Sequence, residues 1–321
     1  MKENVFEAIR AASALVMERA RHVRIDPARL GALDDELLGM PPPPPEFDPG
    51  HHRVGGAETT LAFIVTLNCI NFGSGYFPFL AKRPGLSGYL TIATCLKEHY
   101  SARGAWSPRE LAELDTGECA TVFAQSLEVP EVAELMGLFA RALNDLGRFL
   151  DERHGGRFEG LVEAANGSAA RLLADLATIP FYRDVARYGD LEVPFYKRAQ
   201  ITAADLAVAF EGRGHGAFRD IEDLTIFADN LVPHVLRQKG VLVYTDELCR
   251  RIDRGELIPA GSPEEIEIRA GAVHAVERCV AQLRERGSDL TARKVDYLLW
   301  TCGHRPDMKA HPRHRTRTTF Y

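Results

Sequence analysis

The feature that most limits the fold is a series of helix-start signals on a chain with almost no strand pattern. Ser107-Pro108-Arg109-Glu110 and Ser262-Pro263-Glu264-Glu265 each offer an N-cap hydroxyl, a proline at the first helical position and a glutamate placed to complete a capping box. The hydroxyl takes an N–H that the first turn leaves unpaired, and proline has no N–H there to lose. Asp26-Pro27 repeats the cap and the proline without the box. Val5, Ile9, Ala12, Leu15, Val16, Ala20 and Val23 recur at helical spacing and predict a helix over 5–23. Gly240 and Gly255 stand where helix C-caps are expected. Alternation is confined to Val241–Tyr244 and Leu191–Phe195, and the βαβ rhythm of a doubly wound sheet is absent. The expectation is a mainly α fold with at most a few short strands. It divides into an N-terminal helix with a proline-rich connection over 1–57 and a single helical domain over 58–321.

Composition narrows the class. With 321 residues, 45% hydrophobic and 26% charged, the chain can bury a substantial core, which excludes disordered, collagen-like and small disulfide-framework classes. The longest apolar run, Leu61–Leu67, contains Thr66 and stops at Asn68, far short of a bilayer span. Met1-Lys2-Glu3-Asn4 leads into the amphipathic pattern without the apolar core of a signal peptide, so a cytoplasmic protein is expected. Six dispersed cysteines with no CxxC pair read as reduced thiols. Pro41–Pro45 favours an extended polyproline II connection. Net charge is −6, yet Gly303–Tyr321 carries +4, leaving −10 on the rest. An acidic body with a basic end argues against a general nucleic-acid coat and no membrane partner is expected.

Most familiar motifs fail. Gly212-Arg213-Gly214-His215-Gly216 follows a helical pattern and lacks the strand-before, helix-after setting of a dinucleotide loop, and no P-loop is present. Gly73-Ser74-Gly75 is not a nucleophile elbow. His304, His311 and His314 lack metal-ligand spacing, so no metal is expected. The informative stretch is Phe227-Ala228-Asp229-Asn230-Leu231-Val232-Pro233. Ile221, Leu224, Phe227 and Leu231 predict a helix from Asp220 that breaks where Pro233 opens the next, which ends at Gly240. Asp229, just before the break, is expected to be partly buried. It either works as an acid/base group, or caps the Pro233 helix or pairs with a nearby Arg.

Further candidates flank it. In Phe195-Tyr196-Lys197-Arg198-Ala199-Gln200 two cations follow two aromatics. They suit anion binding with ring stacking, or form a solvated pair at a helix start capped by Thr202. Glu265, Glu267 and Arg269 share the helix from Pro263, where Glu265 and Arg269 are also spaced as a surface pair. Asp296 precedes Trp300 by four and can cap or pair inside the fold. The end, His311-Pro312-Arg313-His314-Arg315-Thr316-Arg317, reads as a basic tail, although the closing Phe320-Tyr321 offers aromatic anchors.

In this order the blocks resemble the queuosine salvage protein family, over roughly residues 58–321. The matching stretches are Leu67-Asn68 through Phe72, Ser87-Gly88-Tyr89, Tyr182-Arg183-Asp184, Phe195–Gln200 with Asp205, and Glu211-Gly212. They continue through Phe227-Ala228-Asp229 with Pro233, Glu265–Arg269, Asp296 with Leu299-Trp300, Pro312-x-His314-Arg315, and Tyr321. Where eukaryotic members read Asn-Phe-x-Phe-Trp, this chain has Asn68-Cys69-Ile70-Asn71-Phe72.

The resemblance implies a helical fold like that of DNA glycosylases. It also implies hydrolysis of queuosine 5′-monophosphate at its N-glycosidic bond, without metal or cofactor, releasing queuine for salvage into tRNA. On that footing Asp229 stabilises an oxocarbenium-like state and handles water, with Lys197 and Asp296 beside it as catalytic candidates. Phe227, Phe72 or Tyr89 stacks on the base. Asn68, Glu265, Glu267, Arg269 and Trp300 complete the substrate-binding set, its carboxylates receiving the edge donors and cationic aminomethyl arm of a 7-deazaguanine base. Lys197, His314, Arg315 and Arg317 neutralise the 5′-phosphate. The partner is then a small nucleotide rather than polymeric nucleic acid. Two other readings stay open: a glycosylase acting on another modified nucleotide or DNA, and a non-catalytic helical module that binds tRNA or a protein. Net charge −6 weighs against the last.

Overall fold

The computed structural model describes residues 4–40 and 52–321, so the Pro41–Pro45 segment lies outside the described residues. The described chain is mainly helical. It opens with α1 (Val5–Arg19), β1 (Val23–Ile25) and α2 (Pro27–Gly39). Next come α3 (Ala57–Cys69), α4 (Gly88–Arg103), α5 (Pro108–Glu113), α6 (Thr116–Val122), α7 (Pro130–His154), α8 (Phe158–Ala165) and α9 (Ala169–Leu176). A hairpin of β2 (Val185–Tyr188) and β3 (Leu191–Pro194) leads into α10 (Lys197–Ala209). The remainder is α11 (Val232–Gln238), β4 (Leu242–Tyr244), α12 (Asp246–Asp253), α13 (Pro263–Glu285), α14 (Ala292–Gly303) and α15 (Pro306–Lys309). No described helix is long and apolar enough to cross a membrane.

The chain forms two compact units. The first takes its described residues from Met1–Glu46, Asp184–Lys197 and Glu222–Arg317; the second from Phe47–Arg183, Arg198–Ile221 and Thr318–Tyr321. The axis of the first unit is α13, on which every residue from Glu265 to Val273 is buried. A helix enclosed on all sides needs small residues where neighbours come close. A Cβ on Gly271 would stand 3.2 Å from Val23 Cγ1 and 3.3 Å from Leu242 Cδ2, so glycine there lets the antiparallel β1–β4 pair lie against the helix. α1, α2, α11 and α14 cover its other sides.

In the second unit, the 25-residue α7 buries Leu135, Phe139, Leu143, Leu146 and Leu150 along one face. It ends at Gly155, whose left-handed backbone (φ +62°) closes the last turn. Phe139 meets Phe72 and Phe123 edge-on at 5.2 and 5.6 Å, and α3 is buried from Thr60 to Cys69. Within the same unit the carbonyl of Tyr321 accepts the Gly73 N–H at 2.9 Å. The last residue is thereby held, and Tyr321 is buried.

Local signals fared unevenly. The Ser107 capping box forms in full, and Asp26 caps α2. The box expected at Ser262 is half-made. Ser262 caps Glu265 N, but Glu265 Oε2 turns to Gly261 N at 3.2 Å while Oε1 lies 3.6 Å from Arg269 Nη1. Val241–Tyr244 and Leu191–Phe195 supply β4 and β3, and Pro233 does open α11. The helix expected over 5–23 stops at Arg19, where Val23 turns into β1. The helix expected from Asp220 does not form: after a single 3₁₀ turn, Ile221–Asp223, the chain is irregular up to α11. Side chains from elsewhere take its backbone groups, Asp296 accepting from Phe227 N and Arg269 donating to Ala228 O. Thr202 lies inside α10 rather than capping it, and donates to Arg198 O.

One glycine tests the second unit's packing. A Cβ on Gly147 would come within 2.4 Å of Pro108 O and 2.5 Å of Ala112 N, so α5 backbone must move to admit it. Alanine gains up to about 1 kcal/mol of helix propensity, yet the clash should outweigh it. Gly147→Ala is expected to destabilise by about 1–3 kcal/mol, read as a lower urea midpoint; an unchanged or higher midpoint contradicts this packing.

Candidate active site

The first unit gathers most of the nominated residues around α13. Arg269, 1% exposed, donates from Nη1 and Nη2 to the two oxygens of Asp184 at 2.9 and 2.6 Å and from Nε to Ala228 O at 3.0 Å. Its guanidinium lies 4.0 Å from the centre of the Phe195 ring. Asp184 in turn accepts Lys197 N on Oδ2, and Phe195 N and Tyr196 N on its carbonyl. One buried ion pair thus fixes three stretches: the chain at 184, the Phe195–Lys197 turn, where Tyr196 is left-handed at φ +49°, and the segment at Ala228. The expected surface pair of Glu265 with Arg269 is therefore deeply buried, and Arg269 is spent on the fold rather than offered to a substrate.

Asp229 follows Ala228 directly and is half-buried. Its Oδ1 accepts Leu231 N at 2.7 Å and Val232 N at 3.2 Å, so it does cap α11. No described residue donates a hydrogen bond to Oδ2. Phe227, also half-buried, is pinned through its backbone N–H by Asp296 Oδ1 at 2.9 Å. Asp296 is 5% exposed and holds the segment that carries Asp229. Trp300 packs against His304 with centroids 4.1 Å apart and ring planes tilted by 52°, and His304 Nδ1 lies 2.8 Å from Trp300 O. Burial holds the His304 imidazole below its ordinary pKa, neighbouring Lys309 and Arg313 add to this, and Asp229 opposes it.

Two expectations fail within this unit. Glu267 is fully buried, with Oε2 accepting the N–H groups of Arg21, His22 and Val23 and Oε1 accepting Tyr188 OH. Its carboxylate ties α1, β1 and β2 to α13 and does not serve as a substrate acceptor. His314 is buried, its pKa pushed down to about 3 by desolvation first and by Arg269 second. A neutral imidazole at physiological pH cannot neutralise a phosphate.

The basic end is no disordered tail. Along 313–317 the arginines Arg313, Arg315 and Arg317 are half-buried while His314 and Thr316 between them are fully buried. The alternation is that of an extended segment, and Arg315 O accepts Ile258 N at 2.8 Å. The Arg315 Nε is buried with no hydrogen-bond partner among the described residues. Arg313 loses basicity through burial, with Asp229 opposing the loss.

The second unit holds Asn68, Phe72 and Tyr89. Asn68, at the end of α3, is fully buried and donates from Nδ2 to Asp205 Oδ2 at 2.8 Å, while its Oδ1 accepts Asn71 Nδ2 at 3.0 Å. His52 Nε2 stands 3.9 Å from Asp205 Oδ1. Tyr89 is half-buried, and desolvation, then the Asp205 charge, keeps its phenol protonated. Phe72 corrects another expectation: 1% exposed, it packs on Phe139 and under the Arg198 guanidinium at 4.9 Å, so it is core rather than a base-stacking wall. Arg198 is likewise no anion receptor. Buried between Phe72 and Tyr182, it donates to Cys69 O and Phe181 O.

Comparison with known proteins places the chain. Residues 51–321 match the family described as queuosine salvage protein. A Sphaerobacter thermophilus protein named queuosine 5′-phosphate N-glycosylase/hydrolase is 39% identical over 312 residues, 95% of both chains. Proteins of the same name are 39% identical over 192 residues in Bos taurus, 56% of both chains, and 41% identical over 183 residues in Dictyostelium discoideum, 56% of this chain and 57% of that one.

The buried histidines give the fold a pH signature. Folded His314 remains uncharged down to about pH 3, whereas the unfolded chain takes up that proton near pH 6.5. Between the two the unfolded state binds more protons, so stability falls as pH drops below 6.5, by about 1.4 kcal/mol per pH unit, and is level above it. His314→Gln should remove about that slope from unfolding free energies measured between pH 6.5 and 4.5; an unchanged slope contradicts the burial of a neutral imidazole.

Proposed function

The chain belongs to the queuosine salvage protein family, and we propose that Asp229 is the carboxylate at which it hydrolyses its nucleotide. The protein is a hydrolase of the N-glycosidic bond of queuosine 5′-phosphate. That sets aside the reading as a non-catalytic binding module. The observation that carries the assignment is the asymmetry of Asp229: Oδ1 is fixed by two backbone N–H groups, and Oδ2 has no donor among the described residues.

In this reading the C1′–N bond breaks with its electron pair leaving on the base, and positive charge develops across C1′ and the ring oxygen. Oδ2 faces that charge and stabilises it, an interaction made only as the charge develops. Water then adds to C1′ and gives its proton to the carboxylate, which passes it on to the base nitrogen that left with the electron pair, yielding ribose 5-phosphate and queuine and restoring the carboxylate. The atoms balance without any further reactant.

Asp296 acts as a positioning residue here, since its bond to Phe227 N holds the segment from which Asp229 projects. Phe227 and Trp300, both half-buried, offer ring faces to a base or sugar. The phosphate falls to Lys197, at the start of α10, and to the half-buried arginines of 313–317. The buried Arg315 Nε, lacking an acceptor among the described residues, suits a phosphate oxygen, for which the guanidinium fork is the best match among side chains. Electrostatics favour a monophosphate over a nucleoside on the same grounds.

Asp229→Asn keeps the shape and an oxygen for the α11 amides while removing the charge. It should lower kcat by about 10²- to 10⁴-fold with substrate affinity changed only a few-fold, followed by mass-spectrometric detection of queuine; turnover near wild type contradicts the assignment. Arg315→Gln should raise KM for queuosine 5′-phosphate by about tenfold or more and leave KM for queuosine nearly unchanged. Equal effects on both substrates would exclude a phosphate contact.

A further inference from the structure

We infer that His304 is a further catalytic group, the carrier that takes the water-derived proton from Asp229 and delivers it to the departed base nitrogen. The inference rests on the proposed role of Asp229, and every residue it uses belongs to the first unit.

Packing places His304 beside that carboxylate. Gly303 is the last residue of α14, and a Cβ on it would stand 2.6 Å from Leu231 Cδ1 and 3.1 Å from Val235 Cγ2. Glycine there lets the end of α14 press against the start of α11. That start is the turn which Asp229 caps, accepting Leu231 N at 2.7 Å. His304 is the next residue after the contact, and its imidazole feels the Asp229 charge.

The ring is oriented by Trp300. A helix end leaves its last carbonyls without amide partners, and one of these, Trp300 O, lies 2.8 Å from His304 Nδ1. A carbonyl only accepts, so the proton sits on Nδ1 and the lone pair on Nε2. The Trp300 indole packs against the imidazole with centroids 4.1 Å apart. No described residue bonds to Nε2, and the atom is not sealed from solvent. Burial is the first reason that the ring stays neutral. Lys309 of α15 and Arg313 of the C-terminal segment act the same way, while the Trp300 carbonyl and Asp229 favour a second proton.

Such a group supplies what Asp229 lacks. A carboxylate held by two backbone N–H groups can meet charge at C1′, but it cannot swing across the broken bond to the base. In the relay, water bonds to C1′ and loses a proton to Oδ2. The carboxylic acid gives that proton to Nε2, forming an imidazolium. Nε2–H then gives it to the lone pair on the base nitrogen. Carboxylate and neutral imidazole are both restored, and Nδ1–H stays on the Trp300 carbonyl throughout. An imidazole is a stronger base than a carboxylate, and a deprotonated ring nitrogen is stronger again, so each transfer runs downhill.

Two measurements test the relay. Nitrogen NMR of wild type labelled at histidine, with His304→Gln for assignment, should show His304 protonated on Nδ1 and bare on Nε2 at neutral pH. Asp229→Asn should move the His304 titration midpoint to lower pH. The opposite tautomer, or an unmoved midpoint, overturns the inference, and neither reading needs turnover. In kinetics, His304→Gln should lower kcat for queuosine 5′-phosphate by about tenfold or more near pH 7.5 with KM nearly unchanged. That loss should shrink severalfold by about pH 5.5, because solvent acid then protonates the leaving base in place of the imidazolium. A kcat near wild type, or a loss equal at both pH values as a merely structural role would give, overturns it. Failure of wild type to hydrolyse queuosine 5′-phosphate would instead reject the proposed function while leaving the tautomer and the coupling to Asp229 readable.

Discussion

Arg269 and Asp184 form the interaction on which the first unit's chemistry depends. Both side chains are almost fully removed from water, at 2% and 4% exposure. Desolvating two charges costs several kcal/mol each and is offset only by near-ideal geometry and further bonds. Those conditions are met: the pair is bidentate, Nε holds Ala228 O, Asp184 holds Lys197 N, and the guanidinium covers Phe195. Loss of either partner would leave a buried, uncompensated charge. It would also release the backbone directly beside Asp229. The pair is therefore costly in stability terms and valuable in position.

A second layer of polar groups spends itself in the same way. Glu267 ties three amides and a phenol, Asp296 holds Phe227, and Arg198 closes two carbonyls between aromatic rings. Each of these side chains takes its partners from a distant part of the chain, which is how such polar residues are kept in a helical core. Against this saturated background the groups that retain capacity stand out. Among the described residues of the first unit they include Asp229 Oδ2, the Nε of Arg315, and the half-buried rings of Phe227 and Trp300.

Helix starts were legible because a cap is a local device: Ser107 and Glu110 find each other three residues apart. Short strands such as β1 were not, since three residues are too few to alternate, and Val23 continues the apolar spacing of α1. The stretch from Ile221 to Leu231 misled for a related reason. Its apolar spacing is that of a helix, but the bonds that undo the helix come from Arg269 and Asp296, some 41 and 69 positions away. Residue types at the site were readable. Burial was not readable. Phe72 and Glu267 look like ligand contacts until tertiary packing encloses them. Asp184 and Asp205 stand in the matching blocks, but their bonding was not readable, because their partners Arg269 and Asn68 lie 85 and 137 positions away.

We propose that this scaffold presents the Asp229 carboxylate to a queuosine nucleotide. Its most direct test mixes purified protein with queuosine 5′-phosphate and follows both products by mass spectrometry over time. Queuine and ribose 5-phosphate should appear together in equal amounts, with repeated turnover. Intact nucleotide after prolonged incubation with protein in excess would contradict it.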